Sequence, residues 1–412
     1  MTPYATIGQK LGHSYSGLIH RAFGKYDFEL IEVAPENAEE FMRHAPYKGI
    51  TVTIPYKKLA LAVADEASPA ARAIGCANTL VRRPDGTLWA DNTDAAGFAY
   101  MARTAGVDFR GAKVLILGSG GTSLTTRTVA RQHGAGEIVI VSRTGEVNYS
   151  NLLERHADAE IIVNATPVGM YPHTEESPLA TLEPFTRLRA VLDVVYNPMR
   201  TRLKLEAASR GLSCGDGLDM LVAQAKFCMD DFLGARQEES IIPQVAALIR
   251  RQTANIVLTG MPGCGKSAVA QAVARHLGRK CIDCDAVIAE RAGMTIAEIF
   301  AREGESGFRA REEEVIAEFA RQSALVIATG GGAILSMRNR LNLAANGFVF
   351  LLQRDTMQLE IGAGRPLSTS REAVEKLAEI RGPLYRACAD CLIDNNRTIP
   401  EAVEQIIDYI TP

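Results

Sequence analysis

Short apolar runs alternate with amphipathic helical repeats from one end of the chain to the other. The runs predict strands over residues 4–7, 28–33, 50–53, 114–117, 138–141, 161–164 and 190–194. Further on they predict strands over 256–259, 280–282, 325–328, 348–352 and 391–393. A period near 3.6 marks helices between them, over 122–131, 203–209 and 267–277. Alternation of strand and helix is the mark of parallel sheets covered by helices. An α/β architecture with parallel sheets is therefore expected throughout.

Two glycine-rich turns interrupt this rhythm, each between a predicted strand and a helix. The first is Gly118-Ser119-Gly120-Gly121 and the second is Gly260-Met261-Pro262-Gly263-Cys264-Gly265-Lys266-Ser267. One mononucleotide-binding core needs only one such turn, so two argue for two nucleotide-binding units. The polar stretch 234–253 between them reads as a terminal helix and linker. The units differ in motif and length, which excludes an internal repeat.

Composition narrows the class. The chain has 412 residues, 47% of them hydrophobic and 23% charged, which excludes a disordered or low-complexity polypeptide. A length of this order corresponds to about three domains. The net charge of −3 supplies no global field to recruit nucleic acid or an anionic membrane. No apolar run approaches the ~18–20 residues of a membrane span. The N-terminus lacks the basic-then-apolar pattern of a signal peptide, and eight cysteines in so long a chain do not form a disulfide framework. A reduced, cytoplasmic protein is expected.

The second turn fits G-x-x-x-x-G-K-[ST], with a strand before it and a helix after it, as the motif requires. Gly260, Gly263 and Gly265 let successive backbone N–H groups face phosphate oxygens. Lys266 supplies a mobile positive charge for the β- and γ-phosphates, and the Ser267 hydroxyl can ligate Mg²⁺. Asp283 and Asp285 follow the next strand, at the strand end where parallel sheets bind ligands. Then come Phe308-Arg309 with Glu312 one turn on, Thr329-Gly330-Gly331-Gly332 after a strand, Gly364-Arg365-Pro366-Leu367, and Arg381-Gly382-Pro383-Leu384-Tyr385. Taken singly, Arg309–Glu312 reads as a surface helix pair and Arg381 as a solvated side chain.

Taken together and in this order, residues 253–412 resemble shikimate kinase. The resemblance implies a five-stranded parallel sheet with helices on both faces, and ATP and Mg²⁺ as cofactors. It implies that Asp285, Arg309, Gly331 and Arg381 hold shikimate, the arginines at its carboxylate and Asp285 at its hydroxyls. Asp283 joins Ser267 in positioning the metal, and Arg365 closes over the phosphates from a lid. The family usually carries a further lid arginine, which Leu359-Glu360-Ile361-Gly362-Ala363 lacks.

The first turn lacks the third glycine of G-x-G-x-x-G, with Ser123 in its place, and alone is weak. Ser142-Arg143-Thr144 ends the next strand, about 20 residues after the glycines, where NAD-selective sites carry an acid. An arginine there suits a 2′-phosphate, so NADP(H) is favoured over NAD. Around this turn stand Gly12-His13-Ser14-Tyr15-Ser16, Gly49-Ile50-Thr51-Val52-Thr53-Ile54-Pro55-Tyr56-Lys57, Ala77-Asn78-Thr79 and Asn92-Thr93-Asp94. Asn164-Ala165-Thr166-Pro167, Asp193-Val194-Val195-Tyr196 and Met220-Leu221-Val222-Ala223-Gln224-Ala225 follow it.

This succession resembles shikimate dehydrogenase over about residues 1–235. The resemblance implies reduction of 3-dehydroshikimate by NADPH, with Lys57 and Asp94 as the catalytic pair. Ser14, Ser16, Thr53, Asn78 and Gln224 would bind the substrate, and Gly118, Gly120, Gly121, Arg143 and Thr144 the NADP. It implies two lobes: an α/β substrate lobe over 1–100, completed by a helix over 217–235, and a Rossmann lobe over 101–216. A linker over 234–252 would lead to the kinase domain over 253–412. Gly17, Thr51 and Ala95 stand where the family usually has proline, asparagine and glycine.

The two resemblances rest on separate motifs, yet the product implied by the dehydrogenase is the substrate implied by the kinase. A bifunctional enzyme acting on small molecules is the reading, with no nucleic-acid or membrane partner and with oligomeric state left open. Two alternatives also stay open: quinate with NAD at the first site, and a non-catalytic metabolite sensor. A sensor should have lost Lys57, Asp94 or Lys266, and all three are present. Cys281-x-x-Cys284 and Cys388-x-x-Cys391 could be read as a zinc site of four thiolates. The stretch between them is far longer than the usual ~15–20 residues, and the kinase-like sheet would put their strands on opposite edges, so small apolar packing is preferred.

Overall fold

The computed structural model describes residues 3–12, 14–360 and 370–411. It divides into two compact units. The first comprises Met1–Met170, Glu176–Tyr196 and Leu203–Ile249, and the second Tyr171–Glu175, Asn197–Arg202 and Arg250–Pro412.

The first unit holds two sheets. Its N-terminal sheet has six strands in the order Glu29–Glu32, Tyr4–Gly8, Gly49–Val52, Thr79–Arg82, Leu88–Asp91, Glu66–Ala67. The first three run parallel, but Thr79–Arg82 is antiparallel to both of its neighbours. The expectation of parallel sheets throughout is corrected here. The physical reason is the tight turn Pro84-Asp85-Gly86, with Gly86 at φ +90° and Arg83 N–H bonded to Thr87 O at 2.9 Å, which only an antiparallel hairpin can use. Ile7, Met42, Ile50, Val52 and Leu80 form the core beneath this sheet.

The second sheet has five parallel strands in the order Ser213–Asp216, Ala190–Asp193, Ile161–Asn164, Lys113–Leu117, Glu137–Val141. Along Lys113–Leu117, Val114 and Ile116 enter one core, and Leu115 and Leu117 enter another on the opposite face. That is why the strand reads as a continuous apolar run: both faces are covered. Ser213-Cys214-Gly215-Asp216 lacks any apolar run and pairs only at the edge.

Two long helices tie the lobes together. Thr93–Thr104 packs on Gly217–Leu233 so closely that a Cβ at Gly97 would lie 2.7 Å from Met220 O. The stretch read as helix and linker is the helix Ile241–Thr253. Ile242, Val245, Ala246 and Ile249 recur at its helical period and are buried with Ile19, Phe23, Val222 and Met229 of the first unit.

The sheet of the second unit is wholly parallel, in the order Cys281–Asp283, Val326–Ala328, Asn255–Thr259, Gly347–Gln353, Cys391–Asp394. Ile256 and Leu258 face one apolar cluster and Val257 the other. Helices therefore cover both faces, as expected of a P-loop kinase. The strands carrying Cys281 and Cys391 are the two opposite edges, and all eight cysteines are free. Among the described residues, no helix is long and apolar enough to cross a membrane.

Gly49 provides a test of how tightly the N-terminal lobe is closed. A Cβ there would lie 2.2 Å from the Phe232 ring, near the end of Gly217–Leu233. Overpacking of this kind costs roughly 1–3 kcal/mol. Gly49→Ala should lower stability in urea unfolding by that amount, and Phe232→Ala should remove most of the added cost. A change under ~0.5 kcal/mol for Gly49→Ala alone would show that the helix end is free to shift.

Candidate active sites

The first site forms where strands end and helices begin. Lys57 opens the helix Lys57–Val63, a few residues past the strand Gly49–Val52. Asp94 lies in the first turn of Thr93–Thr104, where the helix dipole favours an anion. Lys57 Nζ donates to Asp94 Oδ2 at 2.6 Å, with the lysine side chain still a quarter exposed. Asn78, fully buried, holds the turn. Its Oδ1 accepts from Thr93 N–H at 2.8 Å, and its Nδ2 lies 3.0 Å from Asp94 Oδ1 and 3.2 Å from Gln224 Oε1. Gln224 is itself fixed by donating to Leu221 O at 2.9 Å.

Lys57, Asp94, Asn78 and Gln224 are thus brought into one cluster. Ser14 and Ser16 form a separate pair, 3.1 Å apart, at the start of the helix Ser16–Phe23. Thr53 lies against Gly8, where a Cβ would meet its methyl at 2.6 Å. Two further motif residues have no role assigned by the sequence. Thr93 is buried and bonded to Asn78 through backbone and hydroxyl. Tyr196 packs against Tyr15 with the rings tilted and their centroids 5.1 Å apart, and burial pushes its phenol up to about 12. Thr51, at the family's asparagine position, is buried with its hydroxyl 2.6 Å from that of Thr6.

The first glycine turn opens a cavity of about 650 Å³ at the end of the second sheet. Gly118 sits at φ +105°, and a Cβ there would come within 2.9 Å of Thr166. Gly120 and Gly121 face open space at the start of the helix Gly121–Gln132. Arg143 and Thr144 line the same cavity and are exposed. Bare backbone N–H groups at a helix N-terminus with an exposed cation beside them fit a phosphorylated dinucleotide. Tyr149 joins this lining, and it was not predicted. Burial raises its phenol, and the Arg143 charge opposes that shift.

The third set lies around the phosphate loop. Gly260, Gly263 and Gly265 have φ of +145°, +80° and +93°, a backbone that turns N–H groups inward. Lys266 Nζ donates to Gly260 O and Met261 O at 2.9 and 3.0 Å. Ser267 Oγ donates to Asp283 Oδ2, and Asp283 also caps the helix Cys284–Ala292. A hydroxyl and a carboxylate side by side at the mouth of this loop are the donor set that Mg²⁺ prefers.

Beside the loop lies a cavity of about 330 Å³, lined among others by Asp285, Arg309, Glu312, Gly331 and Arg381. The expectation of a surface pair at Arg309–Glu312 is corrected. Glu312 is 0% exposed and accepts from Arg309 Nη1 at 2.6 Å. Arg381 is not solvated: it is 4% exposed and donates to Gly331 O at 3.1 Å. Helical periodicity gives the spacing of such a pair but not which face is covered.

Burial raises the carboxyls of both Asp285 and Glu312, against the pull of the nearby cations. Among the described residues, Asp285 Oδ1 and Glu312 Oε1 have no hydrogen-bond partner, and both face Gly330, whose Cβ would lie 2.8 and 2.5 Å from them. Two unpartnered acceptors and two guanidinium groups lining one cavity suit a ligand that carries both hydroxyls and a carboxylate. Arg365 lies outside the described residues.

Two classes of scaffold are therefore joined: a two-lobed oxidoreductase with a lysine–carboxylate pair, and a P-loop kinase with an acidic and cationic cavity. Residues 6–80 match the family described as shikimate dehydrogenase substrate binding domain, and residues 262–411 match shikimate kinase. The NADP(+)-dependent shikimate dehydrogenase of Clostridium perfringens is 33% identical over 261 residues, covering 58% of this chain and 95% of that one. A solved fusion of chorismate mutase with shikimate 5-dehydrogenase from Clostridium acetobutylicum is 31% identical with a TM-score of 0.56, covering 60% of this chain and 96% of that one. Shikimate 5-dehydrogenase from Thermus thermophilus, solved in complex with NADP(H) and shikimate, is 30% identical with a TM-score of 0.53, covering 60% and 98%. The chain belongs to the shikimate dehydrogenase family, with a shikimate kinase domain in the same polypeptide.

Gly332 tests the kinase pocket. A Cβ there would lie 2.1 Å from Arg309 Nη2, so Gly332→Ala must displace the guanidinium. The expected result is a loss of at least about tenfold in kcat/KM for phosphoryl transfer, roughly 1.4 kcal/mol. The oxidoreductase rate of the same protein should be unchanged. Unaltered phosphoryl transfer would mean that Arg309 is not needed where it stands.

Proposed function

We propose that this chain catalyses two consecutive reactions: NADPH-dependent reduction of 3-dehydroshikimate to shikimate, then ATP- and Mg²⁺-dependent phosphorylation of shikimate to shikimate 3-phosphate. The observation that carries the first reaction is the Lys57–Asp94 pair held by Asn78. When bound, NADPH supplies the hydride to the ketone carbon. The carbonyl oxygen then gains an electron pair and needs a proton. Lys57 Nζ presents N–H to that oxygen, stabilises the developing charge and delivers the proton. Asp94 orients the ammonium. Its Oδ1, held by Asn78, and Gln224 meet the ring hydroxyls. Gly118, Gly120 and Gly121 receive the dinucleotide phosphates, and Arg143 with Thr144 the 2′-phosphate.

In the second reaction the loop N–H groups and Lys266 hold the ATP phosphates, while Ser267 and Asp283 hold Mg²⁺. Arg309 and Arg381 take the substrate carboxylate, and Glu312 keeps Arg309 in line. Asp285 Oδ1 accepts a hydrogen bond from a ring hydroxyl and so orients the attacking oxygen. Positioning and charge neutralisation carry the catalysis, with Arg365 as the lid cation. The chemistry, together with eight free cysteines, fits a reducing cytoplasmic compartment.

Initial rates test the assignment. NADPH with 3-dehydroshikimate should be preferred over NADH at least about tenfold in kcat/KM, the worth of one charged contact to the 2′-phosphate. Arg143→Ala should erase that preference. Lys57→Ala should stop NADPH oxidation and spare phosphorylation of added shikimate, and Lys266→Ala should do the reverse. Loss of both activities by either variant, with the fold intact, would contradict two separate sites.

A further inference from the structure

The strands Gly347–Gln353 and Cys391–Asp394 run side by side in the kinase sheet, and both end beside the phosphate loop. Leu352 O lies 2.7 Å from the place that a Cβ on Gly260 would take, at the start of that loop. Asn395, the residue after the second strand, is buried. Its backbone N–H donates to Gln353 O at 2.8 Å, and its Nδ2 to Cys264 O at 2.6 Å. Asp355 N–H donates to Asn396 Oδ1 at 2.7 Å. Arg354 stands between Gln353 and Asp355, so its backbone is tied on both sides.

Its guanidinium reaches the loop. A Cβ on Gly265 would lie 3.8 Å from Arg354 Nη1 and 3.1 Å from Asn395 Nδ2. Gly265, at φ +93°, directly precedes the helix Lys266–Leu277, where backbone N–H groups turn towards phosphate. Among the described residues, Arg354 Nε is buried without a hydrogen-bond partner, and no carboxylate pairs with the guanidinium. Nearby Asp394 is engaged elsewhere: its Oδ1 accepts from Asn396 N–H and Nδ2 at 3.0 and 2.8 Å. A merely solvated surface arginine would leave no buried N–H without an acceptor, which is costly.

The loop has two sides. Transfer to a ring hydroxyl requires the γ-phosphate to face the cavity of Asp285 and Arg309. Gly265 and Lys266 line that cavity, whereas Arg354 and Asn395 do not. The adenosine end of the nucleotide leaves the loop away from that cavity. We propose that Arg354 is a further nucleotide-binding residue of the kinase, whose guanidinium takes the α-phosphate of ATP at the adenosine side of the loop. The inference rests on the reading of residues 260–267 as the ATP site. Because Asn395 and Asn396 already hold the chain on either side of Arg354, little ordering is left to be done when the nucleotide arrives.

The test is titration calorimetry of the full chain with MgADP and, without shikimate, with MgATP. Lys266→Ala serves as the blank for nucleotide bound elsewhere on the chain. Arg354→Ala should weaken both nucleotides alike, at least about tenfold, the worth of one charged contact to phosphate. Arg354→Lys should recover part of that loss, since the charge returns without the planar fork. The kinase KM for shikimate and the rate of NADPH oxidation should stay as in the wild type. Should Arg354→Ala fold poorly, Arg354→Gln keeps most of the side chain and should show the same loss.

Unchanged nucleotide affinity in Arg354→Ala or Arg354→Gln overturns the proposal. A loss with MgATP but not with MgADP places the contact at the γ-phosphate and overturns it too. So does a rise in the KM for shikimate equal to the loss in nucleotide affinity, because that marks a loosened loop and not a lost contact. A wild-type chain that binds neither nucleotide above the Lys266→Ala blank defeats the reading of the loop as an ATP site, and this inference with it. Wild-type binding that Arg354 does not influence defeats this inference alone.

Discussion

A single buried carboxamide sets the geometry of the oxidoreductase half. Asn78 reads the backbone of Thr93 with its oxygen and the side chains of Asp94 and Gln224 with its nitrogen. Its own place is set by a hairpin whose first strand runs against the rest of the sheet, with Asn78 N–H on Asp91 O at 3.0 Å. The antiparallel pair is thus more than an edge decoration. It brings the residue before one strand and the residues after the next to the same corner, so that Asp94 starts a helix within reach of Lys57. A parallel arrangement would have sent Asn78 and Asp94 to opposite ends of the strands.

The kinase half solves a different problem with glycine. Asp285, Glu312 and Arg309 occupy the space that side chains at positions 330 and 332 would fill. Removing three Cβ atoms in a row lets a carboxylate, a guanidinium and a loop carbonyl converge on a ligand-sized cavity. The cost of burying Glu312 is partly offset by its charge-assisted bond to Arg309. Both halves therefore keep charged groups poorly hydrated, where contacts to a substrate gain most.

Much of this was legible in the residues. Fully covered strands such as Asn255–Thr259 and Lys113–Leu117 announced themselves as apolar runs, and the phosphate loop by motif and context. The hairpin Thr79–Arg82 and Leu88–Asp91 did not, because arginine, tryptophan and aspartate break its apolar pattern; the Asp85-Gly86 turn was the available signal. Ser213–Asp216 has no pattern at all and is a strand only through its neighbour. The burial of Glu312 and Arg381 was invisible for another reason. Spacing along a helix names a partner but not the layer that covers it, and here the covering comes from Gly330 and Gly331, far away in sequence. Nor does sequence tell that the hydroxyl of Thr51 is bonded to that of Thr6.

What joins the halves is the ligand each can hold. A carboxylated ring with hydroxyls suits the amide, carboxylate and ammonium cluster around Lys57, and equally the two guanidinium groups and two unpartnered acceptors around Gly330. The most direct measurement is a mass balance on the purified full-length chain with no other enzyme present. It is supplied with 3-dehydroshikimate, NADPH, ATP and Mg²⁺ and followed by phosphorus and proton magnetic resonance. The account predicts one shikimate 3-phosphate for each NADPH oxidised and each ADP formed once shikimate has reached steady state. NADPH oxidation without any phosphorylated ring, or ADP formation that does not depend on the carboxylated ring, would contradict it.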